Sequence, residues 1–220
     1  MIIRKENWIK VARAVGDFNP IHYDDAAAIK IGLNKVVCPG VYMLALAERE
    51  CQKDWGKSEI PLGLKGNFSK FLYDREEISF EKEENGSVRI ISSNEIAANF
   101  QIEPVSSGDR ETEGASLGIS EITPEKIKMF YEGLEISGTR PYFTFGFGGI
   151  ISMFLNGREG VMLGGMKFNL YQSPELGALD VRLSVEERQR RGTLLYRIYG
   201  SCAQNGRKVL EGSGTGFKFG

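Results

Sequence analysis

Residues 15–43 read VGDFNPIHYDDAAAIKIGLNKVVCPGVYM, and residues 41–47, VYMLALA, continue them into a helix apolar nearly all round. A helix of that kind has no polar face to offer water, so it has to be enclosed by other elements. The strand candidates that follow it, at 62–73, 77–83, 87–93 and 95–103, supply the cover. Asn85-Gly86 between the second and third gives the residue pair that tight antiparallel turns favour. One apolar helix followed by consecutive antiparallel strands is an α+β arrangement in which a curved sheet wraps the helix.

The same order recurs downstream. An amphipathic helix at 7–15 is matched by one at 124–133, and the apolar helix at 41–55 by one at 142–156. The later strands fall at 161–171, 178–187, 193–203 and 207–218, with Asn205-Gly206 as a second hairpin turn. GLKGNF at 63–68 is echoed by LGGMKF at 163–168, where the element order places it. Between the halves, residues 104–118 (PVSSGDRETEGASLG) are rich in Ser, Gly and acidic residues and nearly lack apolar ones, the composition of a linker. The expected division is residues 1–103, a linker at 104–118, and residues 119–220. Each half on its own leaves exposed sheet edges, and packing the halves together relieves part of that liability.

Bulk properties narrow the partners. With 28 basic and 29 acidic residues the net charge is −1, so no global field draws in nucleic acid or an anionic membrane, and an anionic ligand needs a local cluster. Three cysteines, at 38, 51 and 202, lack paired spacing and suit a reducing compartment. The first residues do not resemble a signal peptide, and the longest apolar stretch, 141–155, is interrupted by three glycines and too short to span a bilayer. A cytoplasmic location is expected. One histidine and scattered cysteines offer no set of metal ligands, and no phosphate-binding glycine loop follows a strand.

Chemistry concentrates in the opening segment. His22 is the single histidine, and Asp17 precedes it across Phe18-Asn19-Pro20-Ile21. Pro20 fixes its own φ and drives Asn19 out of helix, so both side chains leave a stiff turn. A carboxylate and an imidazole sharing one water are what general acid–base catalysis requires. Gly40 follows Pro39 at the mouth of the buried helix, where unpaired N–H groups and the helix dipole favour a developing oxyanion. Each residue also has a plain structural use: Asp17 or Asn19 closes an Asx-turn, a lone His packs or faces water, and Pro-Gly punctuates helices. The combination, leading into a buried helix, favours the catalytic reading.

These residues carry a resemblance. GDFNPIH, then Asp24, the Ala26–Ala28 run, Gly32 and Pro39-Gly40, resemble the MaoC-like (R)-specific enoyl-CoA hydratases. The resemblance implies a double hot-dog, with two antiparallel sheets each wrapping a central helix and the second repeat degenerate. It further implies that Asp17 and His22 are the catalytic pair, that Asn19 supports them, and that the Gly40 amide polarises a thioester carbonyl. The expected reaction is (R)-specific hydration of a trans-2-enoyl-CoA or the reverse dehydration, with no cofactor or metal and with a possible homodimer. Alternatives are a 3-hydroxyacyl dehydratase acting on an acyl-carrier protein, a thioesterase, and a non-catalytic acyl-thioester binding protein. Val41 is a candidate substrate contact, and Lys30, Lys35, Lys65, Lys70 and Arg140 are candidate cations for CoA phosphates. Glu48, two turns into the helix, is open to two placements, facing the site or facing solvent. The glycines at 146, 148 and 149 are expected to allow tight helix–sheet packing, the alternative being room for an acyl chain.

Overall fold

The structure is a computed structural model and describes residues 1–55, 62–105, 116–155, 158, 160–190 and 192–219. Helix α1 (Lys5–Val15) buries Trp8, Val11, Ala12 and Val15, the one-face spacing of an amphipathic helix. Gly16 ends it in the left-handed region at φ 87°, and the chain turns directly into Asp17. A short 3₁₀ turn at Pro20–His22 and the helix α2 (Asp25–Lys30) lie between α1 and the buried helix, with Asp24 accepting the Ala26 N–H at 2.9 Å as the α2 cap. Helix α3 (Gly40–Trp55) follows, and Val41, Tyr42, Leu44, Ala45, Leu46 and Ala47 are all buried.

The remaining elements are strands β1 (Leu62–Phe68), β2 (Ile78–Lys82), β3 (Val88–Ser92), β4 (Glu95–Glu103) and β5 (Ser116–Ile122), helices α4 (Pro124–Gly133) and α5 (Phe143–Leu155), and strands β6 (Met162–Leu170), β7 (Gly177–Arg190), β8 (Thr193–Gln204) and β9 (Arg207–Phe219). All pair antiparallel in the order β2-β3-β4-β1-β6-β9-β8-β7-β5. The two sheets expected from the halves therefore run on as one, joined edge to edge by β1 and β6, with Leu64 opposite Phe168. Each half supplies one long helix to the concave face, and α3 and α5 pack against each other there. The exposed edges that the sequence called a liability are the two strands that meet.

Three sequence expectations are corrected. Residues 116–118, read as the end of the linker, begin β5, which adds to β7 at the far edge of the sheet; residues 106–115 of that linker lie outside the described residues. Strand β1 stops at Phe68 rather than 73, because the Ser69 and Lys70 N–H groups both turn to the Ala97 carbonyl and lead the chain off the sheet. Helix α5 begins at Phe143 rather than 142 and is described as far as Leu155; Asn156 lies outside the described residues.

The glycines of α5 serve packing. A Cβ on Gly148 would come within 2.4 Å of Val15 Cβ, and one on Gly146 within 2.7 Å of Leu210 Cδ2. No acyl chain has room at either position. The Gly148 contact seats the end of α1, and with it the start of the Asp17 loop, directly on the backbone of α5.

Candidate active site

The Asp17 loop is held from several directions. The Asp17 N–H donates to the Ala12 carbonyl at 2.8 Å, and the Asp17 carbonyl accepts from the Tyr23 hydroxyl. Asp17 Oδ1 accepts the Asn19 N–H at 3.2 Å, which closes an Asx-turn. Its other oxygen is left to face His22. The structural and the catalytic readings of Asp17 thus use different oxygens of one carboxylate.

The imidazole is fixed as firmly. His22 Nδ1 lies 2.7 Å from the Val37 carbonyl, which only accepts, so Nδ1 carries the proton and donates it. The Trp8 indole N–H donates to the His22 carbonyl at 3.2 Å. In the neutral ring Nε2 is then bare, and it stands 3.7 Å from Asp17 Oδ2. That separation is too long for a hydrogen bond. Two acceptors at that distance are well set to receive the two protons of one water. Asp17 is only 2% exposed and His22 7%. Burial pushes the Asp17 carboxyl above the ordinary carboxylate range, against the opposing pull of His22 and the Asn19 N–H.

Both groups line a cavity of about 430 Å³. Gly40 and Met43 of α3 form one wall, and residues 68–71 form a second where the chain leaves β1. Ile151 and Leu155 of α5, residues 161–163 and Phe217 close it from the second half. The Tyr42 and Met43 N–H groups both bond to the Pro39 carbonyl, which makes Pro39 the cap of α3 and Gly40 its first residue. The Gly40 and Val41 N–H groups have no hydrogen-bond partner among the described residues. The Phe68 ring covers Gly40 so closely that a Cβ there would stand 3.1 Å from Phe68 Cζ.

Asn19 does more than the sequence indicated. Its side-chain NH₂ donates to the Val161 carbonyl at 2.7 Å, and its carbonyl oxygen accepts the Gly160 N–H at 3.2 Å. Asn19, between Asp17 and His22 in the chain, is therefore latched to the second half, and no local spacing rule points to a partner so distant in the chain. Replacing Asn19 by Ala strands a buried N–H and a buried C=O, a cost of about 1–3 kcal/mol for each unmatched group. Urea unfolding is expected to register that loss; an unchanged midpoint would show that the latch does not hold the halves.

The structure separates other candidates from the site. The Val41 side chain is buried in the core and only its N–H is near the helix mouth. Lys35 is exposed over the Tyr73 ring, and Lys30 is exposed at the end of α2. Lys65 sits at the β1–β6 seam, where Glu103 lies near both Lys65 and Lys167. Arg140 is exposed ahead of α5. None of these lines the cavity. Lys70 does, held 2.9 Å from Glu95. A wider cleft of about 680 Å³ lies beyond Asn19 and Leu155, lined in part by Lys126 and Arg158, two cations that sequence patterning did not single out. Glu48 faces neither site nor solvent: it is buried against the first turn of α5, and burial pushes its carboxyl up to about 7.

A continuous antiparallel sheet over two central helices, with Asp17 and His22 facing one another in a cavity lined from both halves, defines a double hot-dog protein. The MaoC like domain family model matches residues 3–100. No curated protein matches the chain. Among solved structures, a MaoC domain protein dehydratase from Chloroflexus aurantiacus J-10-fl superposes with a TM-score of 0.73 at 9% identity, covering 99% of this chain and 92% of that one. RV0216 from Mycobacterium tuberculosis, described as having a double hotdog fold, gives 0.68 at 9% identity over 99% and 93%. A protein described as a thioesterase II from Thermobifida fusca YX gives 0.50 at 10% identity over 84% and 87%. At such identities the likeness is one of fold.

Proposed function

We propose that this protein catalyses (R)-specific hydration of trans-2-enoyl-CoA thioesters, or the reverse dehydration of (R)-3-hydroxyacyl-CoA, through Asp17 and His22. The observation that carries the proposal is the bare His22 Nε2 standing 3.7 Å from Asp17 Oδ2 in a cavity that also contains Gly40 at the mouth of α3. A water that donates to both acceptors points its lone pairs at the β-carbon of the enoyl group. The free Gly40 amide receives the thioester oxygen as the conjugated system becomes an enolate. The pair takes the water proton, and the α-carbon receives a proton from the pair on the same face. These steps call on no cofactor or metal, and the likeness to a protein described as a dehydratase supports the same reaction type.

The shared fold with a thioesterase leaves the choice of reaction to the site. Hydrolysis needs water aimed at the carbonyl carbon, whereas hydration needs it aimed at the β-carbon, and the products tell the two apart. With crotonyl-CoA the expected result is loss of the conjugated enoyl absorbance without release of thiol. Thiol release with that absorbance intact contradicts the proposal. Comparison of CoA with carrier-protein thioesters identifies the preferred carrier.

The active form has Asp17 ionised. Because burial holds Asp17 above its ordinary value of about 3.9, the acid limb of kcat/KM for hydration is expected above that value. The limb belongs to the coupled pair and is lost with it. A pH–rate profile flat down to the ordinary carboxylate range would remove Asp17 from the proton transfer.

A further inference from the structure

Helices α3 and α5 pack against each other, the third turn of α3 meeting the first turn of α5 and the first turn of α3 sharing a cavity with the third turn of α5. At one crossing Gly40 opens α3, and Ile151 from α5 lines the same cavity. At the other crossing Phe143 and Thr144 open α5, and Glu48 of α3 reaches them. Gly40 and Glu48 stand the same number of residues apart as Phe143 and Ile151, so the two crossings are counterparts. Their occupants differ. Ile151 offers no polar side-chain atom to the cavity it shares with Gly40, and the Gly40 N–H is left for a guest. Glu48 fills the other mouth from within: it accepts the Phe143 N–H at 2.6 Å, the Thr144 N–H at 3.0 Å and the Thr144 hydroxyl at 2.8 Å. The void beside the second mouth is only about 10 Å³, lined by Phe143, Phe147 and Phe168, against about 430 Å³ beside the first.

We propose that Glu48 is a positioning residue for the acyl-thioester cavity: its carboxylate occupies the mouth of α5 as a substrate oxygen would occupy the mouth of α3, and so fixes the helix that walls the site. A helix anchored at its first turn is set along its whole length. The far part of α5 brings Ile151 and Leu155 to the cavity and Ser152 to within 3.1 Å of a Cβ placed on Gly16, where the Asp17 loop begins. Glu48 touches neither the pair nor the cavity, so its influence passes through α5. The identity of the guest rests on the hydratase reading; the anchoring does not.

The test compares the full chain with Glu48→Ala and Thr144→Val at pH 8, above the value near 7 to which burial raises Glu48. Thermal unfolding, the Kd for butyryl-CoA (a saturated thioester that cannot be hydrated) and kcat on crotonyl-CoA are each measured with sodium formate or with sodium chloride at equal ionic strength. Glu48→Ala is expected to melt earlier and to bind butyryl-CoA about tenfold more weakly, with a smaller change in kcat because the pair is intact. Formate, a carboxylate small enough for the vacated space, restores both Tm and Kd in Glu48→Ala; chloride restores neither, and the wild type responds to neither. Thr144→Val, which removes one of three donors at nearly constant volume, shifts Kd in the same direction by less. A lower Tm with unchanged Kd makes Glu48 a stabilising cap only and overturns the proposal, as does indifference to formate. If Glu48→Ala does not fold, Thr144→Val decides, an unchanged Kd overturning the proposal. Absence of crotonyl-CoA hydration by the wild type would remove the hydratase reading and leave the Tm and Kd comparisons standing.

Discussion

His22→Ala is expected to lower kcat for enoyl-CoA hydration by about 10²–10⁴, the range for loss of a general acid–base group. The substitution removes Nε2, one of the two atoms proposed to orient the water, and leaves the Val37 carbonyl without the Nδ1 proton it accepts. It does not disturb the Trp8 bond, which ends on the His22 backbone carbonyl. Asp17→Asn is expected to cost a similar factor by a different route. The amide keeps an oxygen for the Asn19 N–H, preserving the turn, but presents an NH₂ where Oδ2 accepted and cannot take up a proton. Because the two groups act on one water, the double variant should be hardly worse than either single one. Steady-state kinetics on all three, with circular dichroism to verify the fold, checks this. Multiplied losses in the double variant would mean that the two residues act independently.

The second large effect concerns a backbone atom. Gly40 is the first residue of α3, a position where proline fits the helix and removes only the N–H. Pro39 before it caps the helix, and a cap position ordinarily takes extended backbone, which suits a following proline. Any side chain at position 40 presses on Phe68, so Gly40→Ala is the required reference. Gly40→Ala and Gly40→Pro share the added Cβ and differ chiefly in the N–H. A further loss of about 10²–10³ in kcat from Ala to Pro is expected if this amide stabilises the enolate oxygen. Equal kcat in the two variants would assign that task elsewhere.

What the sequence made legible is local. Asp17, Asn19, Pro20 and His22 form one turn, and a turn's geometry follows from its own residues; the same holds for Gly40 beside Pro39. The apolar run at 41–47 announced its burial because no polar face was available. What stayed hidden depends on pairs far apart in the chain. Strand β5 is recognised only through its partner β7, since residues 116–122 mix Ser, Gly and Glu among exposed Leu117 and Ile119. The latch from Asn19 to Gly160 and Val161 and the seat of Glu48 on α5 arise from contacts between halves that no periodicity encodes. The cations misled for the same reason: Lys65 looks available until Glu103 is placed near it.

Stereochemistry in deuterated water bears most directly on Asp17 and His22 acting together on one solvent molecule. Crotonyl-CoA is expected to give (R)-3-hydroxybutyryl-CoA with a single solvent deuteron at the α-carbon, on the face to which the hydroxyl was added. Hydroxyl and deuteron on opposite faces, or a racemic product, would contradict a single acid–base pair working from one side of the substrate.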